Sequence, residues 1–361
     1  MRLIHLMRLI ALLVACVFLI SAYLLFDSRS SRNWTSKTVS IPQGSSLPEI
    51  ANMLSSEKIL PHPIAFRGIA CLTRTTRRLH YGEYTFPNPP SAYTAWKKLT
   101  SGDVVKYPVT IRPGSNLFDV AALLGAYSLA NPDAFLEAAM SESTLAKLGV
   151  NAQSAEGYLV PDTYNLIKNM KPAQILAVMV KPFNDRFTPE MKRKADMAGL
   201  SMHDVITIAS IIEKETGTPE ERRLVSSVIR NRLNLGMPLQ MDPTVIYGLK
   251  RFDGTITRGD LRAPGPYNTY LNTGLPFGPI SNPGSATIEA ALDPAQTDYL
   301  YFASNSDGTH TFSKTFAQHS IAVQKLRERQ REAASRKLMS APPDPADPQT
   351  VTPQPPPSGP S

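Results

Sequence analysis

Hydrophobic and polar positions divide the chain into one long apolar run, two short related units and a helix-rich remainder. Residues 9–26 are almost entirely apolar, which is about the length that one helix needs to cross a bilayer. From residue 131 to residue 339 most apolar positions recur at helical spacing, with short strand patterns at residues 299–303 and 310–312. The pattern predicts an α+β chain with a transmembrane helix, strand–turn–helix units and a helix-rich domain that contains small β elements.

The apolar run at residues 9–26 has the features of an uncleaved membrane anchor. It contains no convincing small-x-small cleavage site, and apolar residues continue past Cys16, where a lipoprotein would turn polar. A cleaved signal peptide and a lipoprotein signal ending at Cys16 are the alternatives. Positive charges flank the run on both sides and do not fix its orientation. Because one anchor precedes a long polar remainder, we expect residues 1–8 in the cytoplasm and the body on the periplasmic or extracytoplasmic side of the inner (cytoplasmic) membrane.

An internal repeat follows the anchor. Residues 39–54, VSIPQGSSLPEIANML, and residues 109–124, VTIRPGSNLFDVAALL, align without a gap. Each copy predicts a strand, a glycine turn, an N-cap and an amphipathic helix, with Ser45 or Ser46 as the first cap and Ser115 as the second. The pattern resembles half of a LysM module, a fold that binds wall glycans. The alternative is that both copies are packing units that orient the following domain.

Two acidic positions attract attention further along the chain. Glu156 lies in AEGYLVPDTY, a combination of acid, glycine, aromatics and Pro-Asp that is typical of an ordered functional loop; the alternative is an exposed loop acid. Glu213 lies near the end of a helix predicted from about residue 204 to residue 216, on the side that carries small residues such as Ala209 and Ser210. A bulky substrate can reach a carboxyl group among small neighbours, so Glu213 is the candidate catalytic acid/base.

Neighbouring acids receive other roles. Glu215 lies two residues beyond Glu213 and points to another side of the helix, so the two are not expected to act as a pair. Thr218 and Glu221 have the spacing of a capping box at the start of the next helix, which gives Glu221 a structural role. Glu213 is therefore expected to act alone.

Composition and motifs exclude several classes of protein. The chain has 361 residues, 42% of them hydrophobic, and a net charge of +8, which suits anionic lipid or an acidic wall polymer as well as simple solubility. No zinc-finger spacing, basic helix or RNA-binding signature points to nucleic acid. Cys16 lies in the anchor, so Cys71 has no partner for a disulfide or a cysteine-rich metal site. No HExxH, Walker or dinucleotide motif is present, and we expect neither metal nor cofactor.

A single carboxyl group restricts the chemistry. Ordinary glycosidases use two carboxylates that flank the scissile bond. One acid is enough when the sugar's own C6 hydroxyl attacks C1, because the acid first protonates the leaving oxygen and then, as carboxylate, accepts the hydroxyl proton. Lytic cleavage is thus the first hypothesis. A hydrolytic muramidase, with Glu213 plus Asp242 or Glu156, and a non-catalytic peptidoglycan-binding scaffold are the alternatives.

Several motifs occur in a fixed order: EGYLVPDTY, SIIEKET, NRLNLGMPLQMDPTVIYGL, PYNTYLNTGLPFGPISNPG, DYLYF and HTF. Over residues 39–330 they closely resemble the endolytic murein transglycosylases of the YceG/MltG-like family. The resemblance implies a single-pass membrane protein that cuts nascent peptidoglycan glycan strands internally, leaves 1,6-anhydro-N-acetylmuramic acid ends and thereby limits strand length. Glycan strands are the implied substrate, and peptidoglycan synthases are conceivable partners. The family's catalytic glutamate falls on Glu213.

The same resemblance implies residues that line the substrate cleft. For Asp242, a role as a helix cap before Pro243 is the alternative to a role in the cleft. The implied lining residues are Glu156, Gln240, Asp242, Tyr247, Tyr267, Asn268, Thr269, Tyr270 and Asn282.

The predicted organisation has five parts. They are a cytoplasmic N-terminus at residues 1–8, a transmembrane helix at 9–26, a LysM-like region with two repeats at 39–130, a transglycosylase domain at 131–340 and a disordered proline-rich tail at 341–361.

Overall fold

A computed structural model describes residues 2–28, 34–249 and 254–339. Its first element is helix α1, Arg2–Phe26, and the stretch His5–Phe26 is long and apolar enough to cross a membrane. The predicted helix over residues 9–26 is confirmed. In the structure it begins earlier, at Arg2. The tail predicted to be disordered lies outside the described residues.

The first repeat is a unit closed by two antiparallel strands. Strand β1 is followed by two helices and strand β2, and Val39 on β1 lies opposite Tyr84 on β2. Helix α4 then packs on α3 and on α1. The element bounds are β1 Lys37–Ile41, α2 Leu47–Ser56, α3 Pro63–Leu72, β2 Gly82–Phe86 and α4 Ala92–Ser101.

The second repeat has the same plan with one more helix. Strand β3 and strand β4 pair antiparallel, with Val109 opposite Tyr164, and three helices lie between them in the chain. Helix α8 follows and contains Pro182. The bounds are β3 Tyr107–Thr110, α5 Leu117–Ala126, α6 Pro132–Met140, α7 Glu142–Leu148, β4 Thr163–Leu166 and α8 Pro172–Arg186.

The duplication extends beyond the repeated motif that the sequence shows. Tyr84 and Tyr164 occupy the same place in the closing strands, each opposite the valine that begins the motif. Both side chains are buried, and each phenol donates a hydrogen bond to a backbone carbonyl four residues earlier, at His80 (2.7 Å) and Val160 (2.5 Å). Each repeat is therefore a complete strand–helix–strand unit, not a half.

The two repeat helices begin with reciprocal capping boxes. Ser46 caps α2, which confirms one of the two residues predicted for this position. The predicted second cap, Ser115, is wrong: Asn116 caps α5, with its Oδ1 2.9 Å from the backbone N of Asp119. The reason is position, because a cap reaches the third helical amide only from the residue just before the helix.

The third unit is built around one buried helix, α10, which contacts α9, α11, α12 and α13. The predicted helix and the predicted C-terminal hairpin are both confirmed, and β5 pairs antiparallel with β6. A 3-10 turn, Pro219–Glu221, precedes α11. The bounds are α9 Pro189–Met197, α10 Met202–Glu215, α11 Arg222–Asn234, α12 Asp242–Gly248, α13 Ser285–Leu292, β5 Tyr301–Ser304, β6 His310–Ser313 and α14 Phe316–Met339.

Glu221 has a structural role, but it is not the predicted capping box. Thr218 makes no capping hydrogen bond through its side chain. The Glu221 carboxylate instead accepts hydrogen bonds from the backbone N (2.8 Å) and Nδ1 (2.6 Å) of His310. Because the first turn is a 3-10 helix, the box geometry is lost and Glu221 fastens the β5–β6 hairpin to the start of α11.

Three hydrophobic cores follow these three units. The second core contains Leu117 from α5 and Phe135 from α6, so the predicted division between residues 130 and 131 falls inside a packed unit. Units one and two are joined by Glu83, which accepts hydrogen bonds from Tyr107 and from Lys168 at 3.1 Å. The second unit is thus tied to its neighbours on both sides.

The observed cap of α5 gives a direct test. We expect Asn116→Ala to lower the free energy of unfolding by about 1 kcal/mol, because the amide of Asp119 loses its acceptor. Ser115→Ala is the matched control and should change it by less than about 0.5 kcal/mol. Urea unfolding of the full chain in detergent, followed by circular dichroism, measures both. Equal effects of the two substitutions would show that Asn116 is not the cap.

Candidate active site

Helix α10 carries two carboxyl groups at its end, on different sides. Its start is fixed by a capping box between Ser201 and Asp204, and residues 205–212 are all buried. The helix ends at Glu215, where the hydroxyl of Thr216 returns to the carbonyl of Ile212 at 2.7 Å. Two residues correspond to about 200° around a helix, so Glu213 and Glu215 face different neighbours.

Glu213 is held at the start of α13. Its Oε2 accepts hydrogen bonds from the backbone N of Gly284 (2.9 Å) and from Oγ1 of Thr287 (2.7 Å). Gly284 is the N-cap residue of α13, and a helix N-terminus stabilises a nearby anion. The side chain also passes close to Gly114, where an added Cβ would lie 3.7 Å from its Cγ. Glu213 therefore joins the end of α10 to the start of α13 and lies next to the second repeat at Gly114.

Glu215 extends the buried stripe of α10. Val205, Ile208 and Ile212 precede it at helical spacing and are fully buried. The carboxyl group is partly buried. Burial, and after it the nearby charge of Asp242, together raise its pKa to about 8. The raised pKa favours the protonated form of Glu215, which can donate a proton.

Asp242 and Tyr270 meet beside Glu215. The Tyr270 hydroxyl donates to Oδ1 of Asp242 at 2.5 Å. Burial is the largest cause that raises the pKa of Tyr270, followed by its bond to Asp242, with the charge of Glu215 contributing as well. Asp242 is the first residue of α12 and makes no capping hydrogen bond, which removes the helix-cap alternative.

Backbone pairing between two loops assembles this group. The amide of Gln240 donates to the carbonyl of Thr269 at 3.0 Å, and the amide of Met241 donates to Oγ1 of Thr269 at 3.0 Å. Gln240 has a φ of 52°, so the chain turns sharply just before Asp242. Its Oε1 accepts from Nη1 of Arg232 at 3.2 Å. Gln240, Asp242, Thr269 and Tyr270, all predicted to line one cleft, are thus brought together.

A second polar group is buried between the second repeat and α12. Glu156 is 1% exposed and accepts from the backbone N of Leu117 (2.9 Å), the hydroxyl of Tyr247 (2.9 Å) and Nδ2 of Asn282 (3.1 Å). Burial raises the pKa of Glu156 to about 7, although its hydrogen bonds lower the pKa. The exposed-acid alternative is excluded, and Glu156 connects three segments that are distant in the chain.

Two predicted asparagines have their side chains engaged inside the protein. Oδ1 of Asn282 accepts from the amides of Gly157 and Leu159, both at 3.0 Å. Nδ2 of Asn268 donates to the carbonyls of Leu261 (3.1 Å) and Ala263 (2.8 Å). Asn282 is 0% and Asn268 is 4% exposed, so both fix loop conformation. Direct substrate contact by these residues, by Thr269 and by Glu156 stays a prediction.

Tyr247 and Tyr267 form the centre of an aromatic row. Their ring centroids are 4.8 Å apart in an edge-on arrangement. Phe118 from the second repeat lies next to Tyr247 at 6.3 Å, and Phe277 lies next to Tyr267 at 6.2 Å. Both phenylalanines are 50% exposed, so the row reaches solvent at its two ends. Aromatic faces of this kind stack well on sugar rings.

Glu215 is the functional candidate that the sequence prediction missed. The signal was present, because Glu215 continues the spacing 205, 208, 212 of the apolar side, which places its side chain on that side of α10. The approach of Glu215 to Asp242 and Tyr270, which are distant in the chain, is not visible in any local pattern.

Among the described residues, no group of three or more His, Cys, Asp or Glu side chains has the geometry to hold a metal ion.

Comparisons with known proteins place this arrangement in a family. The YceG-like family model matches residues 39–325. An endolytic murein transglycosylase of Bacillus subtilis is 33% identical over 316 residues, which cover 81% of this chain and 85% of that protein. The protein of the same name from Streptococcus pneumoniae serotype 2 is 28% identical over 74% of this chain, and the match spans about half of its length, 54%.

A solved structure agrees with these matches. A YceG-like protein from Listeria monocytogenes has 33% sequence identity to this chain and superposes with a TM-score of 0.56. The match covers 79% of this chain and 98% of the Listeria chain. Because the family model spans both repeats and the third unit, this chain belongs to the YceG-like family.

Proposed function

We propose that the protein is a membrane-anchored endolytic lytic transglycosylase that cuts peptidoglycan glycan strands. The names of the Bacillus and Streptococcus relatives support the substrate class. The observation that carries the proposal is the neutral acid Glu215 beside Asp242 and Tyr270 at the end of α10. An acid that keeps its proton at neutral pH is what protonation of a glycosidic oxygen requires.

The proposed reaction needs no water. The acid donates its proton to the bridging oxygen as the bond from that oxygen to C1 of N-acetylmuramic acid breaks. The resulting carboxylate accepts the proton of the same sugar's C6 hydroxyl, whose oxygen bonds to C1. The products are a 1,6-anhydro end and a strand with a free hydroxyl, and the acid is regenerated. The negative charge of Asp242 lies where it can stabilise the positive charge that develops at C1.

The two glutamates of α10 compete for the acid role. Glu213 is the sequence-based candidate, and both of its hydrogen bonds use one carboxyl oxygen as acceptor, which suits an anchor. Glu215 has the raised pKa and the charged neighbour. We favour Glu215 as acid/base and Glu213 as the group that positions its helix end.

Matched substitutions separate the two glutamates. Glu215→Gln should lower the rate of glycan cleavage by about 10²- to 10⁴-fold, because the amide cannot exchange the proton. Glu213→Gln keeps an oxygen that can accept from Gly284 and Thr287, so we expect a loss of less than about tenfold. Release of soluble fragments from purified glycan strands measures both. The reverse order of activities would assign the acid role to Glu213.

The pH profile tests the protonation state. Because the protonated form of Glu215 is the donor, kcat/KM should fall as pH rises through about 8, the value set by burial and Asp242. An acid with an unshifted pKa would place the same decline near 4.5, the ordinary value for glutamate. The residual activity of Glu215→Gln should lack the decline. A decline that begins in the ordinary range of a carboxyl group would contradict the assignment.

The hydrolytic alternative has one observation in its favour. Asp242 lies close enough to raise the pKa of Glu215, so a second carboxylate is present that could activate water. Mass spectrometry of the digest distinguishes the two reactions, since anhydro products are lighter than hydrolytic products by one water. We expect anhydro ends throughout. Reducing ends without anhydro sugar would establish hydrolysis, and no released fragment would support a non-catalytic scaffold.

The rest of the chain fits an enzyme that acts close to its membrane. We propose that α1 is a single-pass anchor and that the three units lie on the periplasmic or extracytoplasmic side. From this position an internal cut would fall on newly made strands and limit their length. The two repeats keep their proposed LysM-like character, since each closes as a strand–helix–strand unit with an antiparallel strand pair.

A further inference from the structure

A second surface, on the first repeat, lies far from the acid group in the chain. Residues 58–82 contain five Lys and Arg residues and no Asp or Glu. All five cationic side chains are exposed. In a chain with 38 basic and 30 acidic residues, an acid-free stretch of this length concentrates positive charge in one segment of the first repeat. The five residues are Lys58, Arg67, Arg74, Arg77 and Arg78.

Helix α3 lies inside this stretch and has two apolar sides. Phe66, Ile69 and Ala70 are buried in the core of the first repeat. The opposite side is also apolar, but within the described residues it has no cover: Ile64 is 80% and Leu72 is 86% exposed. Large apolar side chains beside several arginines form the composition of a surface that enters a membrane interface.

The first repeat touches the end of α1. Nε2 of His62, the N-cap residue of α3, is 2.9 Å from Oδ2 of Asp27, the first residue after α1. The ring of Phe26 lies 5.5 Å from the ring of Tyr93 on α4. The last turn of α1 thus contacts the beginnings of α3 and α4. If α1 spans the bilayer, α3 begins at the level of the lipid headgroups.

We propose that the first repeat rests on the bilayer through the basic α3 surface, defined as Ile64, Arg67, Leu72, Arg74, Arg77 and Arg78. Ile64 and Leu72 enter the interface, and the arginines bind the phosphates of anionic phospholipids. This inference rests on the proposed anchor. Contact with anionic lipid gives the positive charge of the chain a partner. Because Glu83 of the first repeat binds Tyr107 and Lys168, the same contact also orients the second repeat above the membrane.

The two cysteines provide matched probes. Cys16 lies in α1 and Cys71 on the outer side of α3, and both are exposed. In the full chain, Cys71→Ser leaves one labelling site in the anchor and Cys16→Ser leaves one on α3. Each variant, labelled with a fluorophore, is placed in nanodiscs of phosphatidylcholine with or without phosphatidylglycerol. Lipids that carry a nitroxide quencher then report contact with the acyl chains or with the headgroup region.

The expected result is quenching at both sites. Acyl-chain nitroxides should quench the label at Cys16, and headgroup-level nitroxides should quench the label at Cys71. Quenching at Cys71 should exceed that at Met197→Cys, a 78% exposed position on α9 that is labelled in a chain with both Cys16 and Cys71 changed to serine, by at least about threefold. It should depend on phosphatidylglycerol and weaken in about 1 M salt, where the Debye length is about 3 Å.

Charge variants identify the headgroup contact. Arg74→Gln, Arg77→Gln and Arg78→Gln together should lower quenching at Cys71 to the Met197→Cys level. The control replaces Lys192, Arg193 and Lys194, three exposed cations on α9, with glutamine and should leave quenching unchanged. Equal quenching in both lipid mixtures, with no effect of the arginine changes, would overturn headgroup binding.

Two further outcomes separate this inference from the anchor. Quenching at Cys16 without quenching at Cys71 keeps the anchor and overturns the surface contact. No quenching at Cys16 means that α1 does not span the bilayer, and both proposals fail. Loss of binding to purified anionic wall polymer in the arginine variant, with unchanged quenching at Cys71, would assign the basic α3 surface to the wall and overturn the bilayer as its partner.

Discussion

The partial burial of one carboxyl group constrains the end of α10, at the centre of the third unit. Glu215 ends the apolar stripe of α10, and ionising it there is unfavourable because burial and the charge of Asp242 act in the same direction. The folded state therefore binds the proton more tightly than the unfolded chain. Its stability falls as pH rises from the ordinary glutamate pKa of 4.5 to about 8. This loss of stability falls at the residue that we propose as the proton donor.

The loops around Glu215 are fixed by hydrogen bonds that do not involve it. Thr269 binds the backbone on both sides of the turn at Gln240, which places Asp242 against Tyr270. Asn282 and Glu156 do the same at the second repeat, where the start of α5 donates its first amide to a buried carboxylate. The second repeat is consequently held against the third unit by the hydrogen bonds from Tyr247 and Asn282 to Glu156.

Local features were predictable from the sequence because they depend on nearby residues. The long apolar helix α1, the strand before each glycine turn, α10 and the C-terminal hairpin follow from hydrophobic spacing and turn residues. The cap of α5 is Asn116 and not the predicted Ser115, because only the residue directly before the helix can accept a hydrogen bond from the amide of Asp119. The direction of Glu215 was readable from its spacing after Ile208 and Ile212, but its approach to Asp242 depends on how two loops pair, which no local pattern encodes.

The two repeats share one fold, but equivalent loops in them have different surroundings. Aligning Tyr84 with Tyr164 places Thr76 of the first repeat at the position of Glu156 in the second. Thr76 is exposed, whereas Glu156 is buried against Tyr247 and Asn282. In the second repeat this loop therefore packs against the third unit. In the first repeat the same loop carries Arg74, Arg77 and Arg78 and remains open. The two loops thus occupy equivalent places in their repeats, but one is buried against the third unit, whereas the other is exposed and carries positive charge in the repeat that contacts the end of α1.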